Sequence, residues 1–482
     1  MSRVRIGRRV RRYDNERGCY VYDVNFKTQT PLTERTIEVA EAFGLGVDEE
    51  QEHVLYKDFE VKLTMGDVIY ITGDSGSGKS VLLRALRDDL GEEAATMAEL
   101  EAPEDRPIID LVGDSFQGAL RLLSMVGLND AFLFLRRPGH LSDGQRYRLK
   151  IAQLLDLGRP YWLCDEFCST LDRTTAKIVA YNVQKMARRS GATLIVATTH
   201  TDLLDDLSPS IHIHKSWGSE ISIRYHSNVE TTRCTVARDV TVQESTKEDY
   251  MRLAYFHYRD HRVVAPHKFF SMKLRDKLIG VIAYTYPTPT TSGRVKAVGY
   301  RPRLKDLNRE WTLISRVIVH PKYRTIGLGV KLIKDTLRLT GRRHVELMAV
   351  MAQYNPFAER AGMKKVLVKE PTEKIVEAVD RLKTLGFNPV MLASRKYNER
   401  RLANLPPDEL TGVKEALLHV DTHYYRRLAR VQKPYLRKAE FVEWLRDADA
   451  ESLAWTLQIL CILSQTKAYL YWCRDWMEGH DQ

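Results

Sequence analysis

Hydrophobic and polar positions change period along the chain, and the changes mark out its organisation. From about Thr36 to residue 230, strand-like alternation and short apolar runs give way to helical periods and back again. Residues 54–63, 68–72 and 194–198 predict strands, the last a short apolar run suited to a buried position, and residues 81–90 predict a helix. Such alternation is expected of an α/β domain. Over 235–370 the pattern predicts strands at 268–273, 277–284, 313–319 and 345–350, with helices at 247–258 and 328–339. From 371 to 482 the period is mostly helical, rich in Arg, Leu and aromatics, and broken at Pro406-Pro407. Residues 1–35 read as a basic, irregular extension. The expected architecture is therefore a multidomain α/β protein divided at 1–35, 36–230, 235–370 and 371–482.

Length and composition agree. A chain of 482 residues suggests about three domains, and 44% hydrophobic residues are enough to bury real cores. The formal net charge of +11 makes polyanionic partners plausible, although a basic surface also serves solubility alone. Arg3, Arg5, Arg8, Arg9, Arg11 and Arg12 crowd the N-terminus with no apolar core behind them, which excludes a secretory signal. The longest apolar stretch, 453–463, is too short to span a bilayer and contains Thr456 and Gln458. The six cysteines are scattered, and Cys164 and Cys168 have no second ligand pair to make a metal site. These features lead to the expectation of a reduced, cytoplasmic protein.

Candidate chemistry begins at Gly73-Asp74-Ser75-Gly76-Ser77-Gly78-Lys79-Ser80, which fits G-x-x-x-x-G-K-[ST] between a predicted strand and a predicted helix. Glycines let the backbone wrap phosphates, and amides at the helix N-terminus supply positive potential. Lys79 would reach the β- and γ-phosphates of ATP and Ser80 would ligate Mg²⁺. The apolar run Tyr161-Trp162-Leu163-Cys164 ends in Asp165, a candidate for the Mg²⁺ shell, and Glu166, a candidate general base for the attacking water. Leu141-Ser142-Asp143-Gly144-Gln145 precedes a helix just upstream. Here the chain resembles the ABC ATPases, whose signature is Leu-Ser-Gly-Gly-Gln, with Asp143 as a departure. The resemblance covers about residues 36–228, with a D-loop at Ser169-Thr170-Leu171-Asp172, a switch residue at His200 and a Q-loop residue at Gln117. It implies catalytic roles for Glu166, His200 and Gln117, a place for Gln117 beside Mg²⁺, and Phe43 as a candidate for stacking on adenine. It also implies an ATP-dependent homodimer in which Ser142, Gly144 and Gln145 complete the site of the other copy.

Downstream, Arg316-Val317-Ile318-Val319-His320-Pro321-Lys322-Tyr323-Arg324-Thr325-Ile326-Gly327-Leu328-Gly329 reads as strand, turn and helix. It resembles the R/Q-x-x-G-x-G/A motif of GNAT acetyltransferases, and Asn355-Pro356-Phe357-Ala358-Glu359-Arg360-Ala361-Gly362-Met363 resembles the family's closing segment. The resemblance implies that Arg324, Thr325, Ile326, Gly327, Leu328 and Gly329 hold the pyrophosphate of acetyl-CoA or another acyl-CoA. It further implies that Val317, Ile318 and Val319 pair with the pantetheine arm and that Asn355 contacts it. Ala358 stands where many relatives have an acidic tyrosine, so Tyr354 or Tyr323 as acid and Glu346 or His320 as base are the alternatives. Residues 257–262 fall where such folds line the acceptor site.

Two function classes follow. In the first, an ATPase gates an acyl-CoA-dependent acyltransferase, with nucleic acid as a possible acceptor. The second is a nucleic-acid-binding ATPase carrying an inactive GNAT module. The segment 424–438 interleaves tyrosines with Arg426, Arg427, Arg430, Lys433, Arg437 and Lys438, a pattern suited to DNA or RNA as well as to a solvated helix face. Taken whole, the arrangement resembles prokaryotic ABC-type ATPases fused to predicted acetyltransferases.

Overall fold

The computed structural model describes every residue except 1–4, 15, 17–18, 29–31, 47–50, 101–102, 258–261, 292, 351, 353–354, 434 and 476–482. The chain divides into two compact units. One is Met1–Arg262 with Phe270–Val281 and Ile318–Gly329, and the other is Val263–Phe269 with Ile282–Val317 and Val330–Gln482.

The first unit opens with strands where an irregular extension was expected. β1 (Arg5–Asp14) and β2 (Cys19–Thr28) form an antiparallel hairpin that β3 (Gln51–Phe59) extends. Arginine after arginine along β1 hides the strand from a composition-based reading. The apolar face is carried by β2, whose Val21, Tyr22 and Val24 are buried. Residues near Thr36, expected to alternate as a strand, form instead the helix Glu34–Phe43. Thr33 and Thr36 cap it reciprocally: the Thr33 amide donates to Thr36 Oγ1 at 2.8 Å and the Thr36 amide to Thr33 Oγ1 at 3.3 Å.

A six-stranded sheet follows: β4 (Val68–Gly73), β5 (Ala94–Thr96), β6 (Tyr161–Cys164), β7 (Thr193–Thr198), β8 (Ile211–Lys215) and β9 (Ile221–Tyr225). The order is β5-β6-β7-β4-β8-β9, parallel except for β9. β4 lies between β7 and β8 and is buried along its whole length. Its side chains alternate between faces. Ile69 and Ile71 pack with Tyr22, Val24, Tyr56 and Phe59, whereas Val68 and Tyr70 join Leu149, Leu154, Ala176 and Val179 from helices on the other face.

The remaining strands are β10 (Val240–Ser245), β11 (Pro266–Leu274), β12 (Lys277–Thr285), β13 (Trp311–Val319), β14 (His344–Ala349), β15 (Lys364–Lys369) and β16 (Lys467–Cys473). In the second unit β13, β14, β16 and β15 are neighbours in that order. The observed bounds agree closely with those expected at 268–273, 277–284, 313–319 and 345–350. In the second unit, β16 runs antiparallel to both β14 and β15, and the helices Glu373–Thr384, Arg395–Ala403, Pro407–His419, Lys438–Asp447 and Ala450–Leu463 share a core between β15 and β16 in sequence. The C-terminal region is thus helical, as expected, up to a final strand that the helical reading missed. Ala468 to Cys473 are all buried, and a short, fully apolar run has no period to separate strand from helix. Pro406-Pro407 starts a helix rather than only breaking one, with Pro407 in its first turn.

Beside β16 lies a buried ion pair. Arg294 Nη2 donates to Glu346 Oε1 at 2.6 Å, and Arg294 Nε donates to Oε2 at 3.2 Å. The Tyr469 hydroxyl donates to Oε2 at 3.0 Å, and the side chains of Arg294 and Glu346 are 4% and 0% exposed. Gly293 has φ +101°, and a Cβ there would lie 2.6 Å from Tyr469 Cδ1, so glycine is required for this close approach. Removing one partner strands the other charge. Arg294→Met is therefore expected to destabilise this unit by about 3–5 kcal/mol in denaturant unfolding, with Arg294→Met/Glu346→Leu recovering most of the loss. A single variant as stable as the wild type would contradict the assignment.

Candidate active sites

β4 ends at Gly73, and the loop that follows is shaped by what flanks it. A Cβ on Gly73 would lie 2.0 Å from the Lys215 carbonyl oxygen of β8, so only glycine passes there. Gly76 and Gly78 also have positive φ, and the helix Lys79–Leu90 begins at once. The loop borders a cavity of about 630 Å³ lined by Leu55, Ser75, Gly76, Gly78, Lys79, Ser80, Val81, Asp165, Glu166, Ser169, Ala197, Thr198 and Thr199. Lys79 Nζ donates to the carbonyls of Gly73 and Asp74 at 2.8 and 2.6 Å. Burial pulls its ammonium below the ordinary lysine value, and the charges of Asp165, Asp74 and Glu166 oppose that. Ser77 Oγ is buried and has no hydrogen-bond partner among the described residues. A glycine-lined loop at a helix N-terminus, with an ammonium, an orphaned hydroxyl and two carboxylates, fits a nucleoside triphosphate with its cation.

The acids are delivered by β6, whose Trp162, Leu163 and Cys164 are buried while Asp165 and Glu166 stand exposed at its end. Glu166 and Cys168 hold φ of +47° and +58°, unusual for residues with side chains and typical of strained functional turns. The turn is fixed by Phe167 N–H to Ala197 O at 2.8 Å, Ser169 N–H to Glu166 O at 3.0 Å and Cys168 N–H to Tyr147 Oη at 3.0 Å.

Other expected residues lie apart. His200 follows Thr198 and Thr199, its amide donating to Thr198 Oγ1 at 3.3 Å and its carbonyl accepting from the Tyr70 hydroxyl, but it does not line the cavity. Gln117 sits exposed in the first turn of the helix Phe116–Met125, also outside the lining. Ser142 is exposed at the start of the helix Asp143–Asp156, and Gln145 Oε1 accepts its amide at 3.0 Å. A Cβ on Gly144 would lie 3.3 Å from Leu171 of the D-loop. Phe43, offered for adenine stacking, is 76% exposed at the end of its helix and absent from the lining. The sequence reading missed Leu55, which lines the cavity, and Trp217, whose indole Cη2 would lie 3.5 Å from a Cβ at Gly76 and which is 65% exposed. No motif flags either one; only the meeting of β3 and the β8–β9 turn with the loop brings them there.

The second candidate site is built on β13. Its parallel ladder with β14 pairs Trp311 to Ile314 with His344 to Leu347 and, among the described residues, ends there. The later residues Ser315 to Val317 therefore keep backbone groups on that side outside the β14 ladder. In the first unit, Ile318 and Val319 lead into the turn Pro321–Tyr323 and then to Arg324, Thr325, Ile326 and Gly327 before the helix Leu328–Leu337. Gly327 has φ +82° and open space where a Cβ would point, so its need is conformational. Ile326 and Leu328 are buried and anchor the loop, and Gly329 lies in the first helical turn. This backbone fits a pyrophosphate held by amides. Asn355 is exposed, and Tyr354 and residues 258–261 of the expected acceptor segment lie outside the described residues.

The described acid and base candidates are buried or already hydrogen-bonded. Tyr323 is 2% exposed, and Glu346 is committed to Arg294 and Tyr469. Burial first, then the charges of Lys277, Arg324 and Lys322, hold His320 below the ordinary histidine value, so the ring is neutral near pH 7. Its Nδ1 accepts the Lys322 amide at 3.2 Å, which places the proton on Nε2 and occupies the basic nitrogen.

A phosphate-shaped loop on a central parallel strand, with Asp-Glu closing the apolar strand β6 on the far side of β7, defines the first unit as a P-loop ATPase. Comparison with known proteins narrows the class. The model of the Acetyltransferase (GNAT) family matches residues 235–362. The Cytochrome c biogenesis ATP-binding export protein CcmA of Rhizobium meliloti is 30% identical over 184 residues, 32% of this chain and 86% of that relative. The Methionine import ATP-binding protein MetN of Clostridioides difficile is 26% identical over 194 residues, 33% of this chain and 60% of the relative. Among solved structures, a dimeric post-hydrolysis ATP-binding cassette bound to ADP and Pi is 20% identical, with a TM-score of 0.31, covering 37% of this chain and 93% of that one. The chain belongs to the ABC ATPases and carries a GNAT acetyltransferase domain behind the cassette. Among the described residues no helix is long and apolar enough to cross a membrane.

Replacing Lys79 with Ala is expected to weaken ATP binding, because it removes the ammonium facing the cavity. Glu166→Gln should bind ATP about as well as the wild type but lose roughly 10²–10⁴ in turnover, the usual contribution of a general base. Equilibrium binding and phosphate release measure the two arms, and full turnover by Glu166→Gln would remove Glu166 from the role.

Proposed function

We propose that this protein is an ATP hydrolase coupled to an acyl-CoA-dependent acyltransferase domain. The observation that carries the ATPase half is the single cavity onto which Lys79, Ser80, Asp165 and Glu166 converge. Bound ATP and Mg²⁺ supply the phosphoryl group and its charge neutralisation. Lys79 and the loop amides orient the phosphates, Ser80 and Asp165 hold the cation, and Glu166 polarises water. Gln117 lies outside the lining, so the cation site rests on Ser80 and Asp165.

Ser142, Gly144 and Gln145 are not part of this cavity, which supports their serving a second copy. The proposed assembly is an ATP-dependent homodimer. Glu166→Gln is expected to be dimeric with ATP and monomeric without it in light scattering. A strictly monomeric protein that hydrolyses ATP quickly would contradict the sandwich.

In the acyltransferase half, the end of the β13–β14 ladder supports a pantetheine arm lying along Val317, Ile318 and Val319, with the pyrophosphate at the amides of 325–329. Acetyl-CoA is expected to bind the full chain in calorimetry. Gly327→Val, which cannot hold φ +82° without strain, should abolish that heat while ATP binding stays intact. Absence of heat with wild type would overturn the acyl-CoA reading.

The burial of Tyr323 and the commitment of His320 and Glu346 to other partners favour a second reading, in which the domain binds acyl-CoA without transferring it. Acetyl transfer to amine acceptors by the wild type separates the two. A nucleic-acid partner is supported by the net charge of +11 and by exposed Arg426, Tyr435 and Lys438. The expected row of rings and cations is interrupted. Tyr425 is buried and stacks on Phe441 at 4.1 Å, Arg430 lies over the Trp455 ring at 4.3 Å, and Lys433 pairs with Glu440 at 3.0 Å.

A further inference from the structure

The loop assigned to acyl-CoA is clasped by the cassette from several sides, and every contact lies within the first unit. Lys322 Nζ donates to Asp172 Oδ1 at 2.6 Å. Arg324 Nη1 donates to the Asn129 carbonyl and to Asn129 Oδ1 at 3.3 and 3.2 Å, with Asp130 Oδ2 at 3.7 Å. Asn182, in the helix Arg173–Ser190, donates through Nδ2 to Thr325 Oγ1 at 2.6 Å. Thr325 holds φ +75°, a left-handed conformation that a β-branched residue adopts only when its surroundings impose it. The side chains of a loop read as a cofactor cradle are thus spent on the ATPase, leaving backbone amides for a ligand.

Asp172 is the D-loop carboxylate, and what it touches gives the Lys322 contact its meaning. It caps the helix Arg173–Ser190, accepting the Thr175 amide at 3.2 Å and the Thr175 hydroxyl at 2.6 Å. Burial would raise its carboxyl, but the bonds from Lys322 and Thr175 hold it down to about 2, so the pair stays ionised at neutral pH. The D-loop runs back through Leu171 to the Ser169 amide, which donates to the Glu166 carbonyl. On the other side Leu171 meets the signature at Gly144. Arg148, from the signature helix, donates through Nε to the Gly144 carbonyl at 3.1 Å. Burial first, then the nearby Arg324 charge, lower it to about 10, with Asp172 opposing. One short path therefore joins the acyl-CoA loop to the D-loop, the signature and the general base.

We propose that Lys322 is a positioning residue for ATP hydrolysis, orienting the D-loop through Asp172, and that acyl-CoA bound at 324–329 alters ATP turnover through it. The second clause rests on the acyl-CoA reading; the first stands without it. A partly exposed ion pair contributes little to stability, so the effect belongs to geometry at the reacting site rather than to folding. Lys322 does not line the ATP cavity, so its loss acts on turnover rather than on nucleotide binding.

The test uses the full chain and steady-state ATP hydrolysis, with melting curves to confirm folding. Lys322→Met is expected to lower kcat on the order of tenfold with KM for ATP unchanged, and Lys322→Arg to restore it. Asp172→Asn keeps the cap but loses the ion pair, and combined with Lys322→Met it should add nothing further, as for groups acting as one unit. Added acetyl-CoA should change wild-type kcat several-fold and leave Lys322→Met unmoved. Wild-type kcat in Lys322→Met, or independent losses in the double variant, would overturn the positioning role. Acetyl-CoA that binds by calorimetry yet leaves wild-type turnover unchanged would overturn the coupling while the proposed function stands. Absence of any acetyl-CoA binding would overturn the acyl-CoA reading and the coupling together, and the kcat arm then decides the positioning role alone.

Discussion

The central position of β4 sets the rest of the ATPase in place. Parallel neighbours on both sides satisfy its backbone, and apolar layers cover both its faces. At its C-terminal end the chain turns away, and the Lys215 carbonyl leaves no room there for a side chain at Gly73. Because β6 and β7 run parallel to β4, their C-terminal ends arrive at the same edge, bringing Asp165, Glu166, Thr198 and Thr199 to one cavity. This is the general logic of parallel sheets, in which sites form beyond the carboxyl ends of the strands.

The two loops read as phosphate cradles use similar backbone devices but different side-chain commitments. At 73–80 the lysine turns onto its own loop carbonyls and stays beside the cavity. At 320–329 Lys322, Arg324 and Thr325 are directed to Asp172, Asn129, Asp130 and Asn182. Anion binding by amides needs no side chain, so the second loop is free to spend its cations elsewhere. That division would let one short segment face a ligand with its backbone while its side chains face the ATPase.

In the second unit a helical core separates β15 from β16 in sequence, while β16 lies beside β14 and β15 in space. The strand brings Tyr469 to the buried Glu346–Arg294 pair. A carboxylate so enclosed is a structural charge, and this is why Glu346, chemically suitable as a base, is unsuited to that work here.

Much of the cassette was legible in the chain itself. The 73–80 loop, the Asp165-Glu166 pair and the strands that present them follow from local spacing and from apolar runs of strand length, properties a linear sequence carries. Gly327 and the strand–turn–helix around it were legible for the same reason. Tertiary structure alone decided that the arginine-dense N-terminus is a sheet hairpin, that the last apolar run is a strand inserted between β14 and β15, and that Leu55 and Trp217 rather than Phe43 flank the phosphate loop. It also decided that Tyr323 is buried, that His320 and Glu346 are occupied, and that Lys322 reaches Asp172, 150 residues away in sequence. Local pattern encodes the shape of a turn and the face of an element. Which side chain is buried, paired or free depends on partners that folding brings from distant parts of the chain, and no local pattern carries that information.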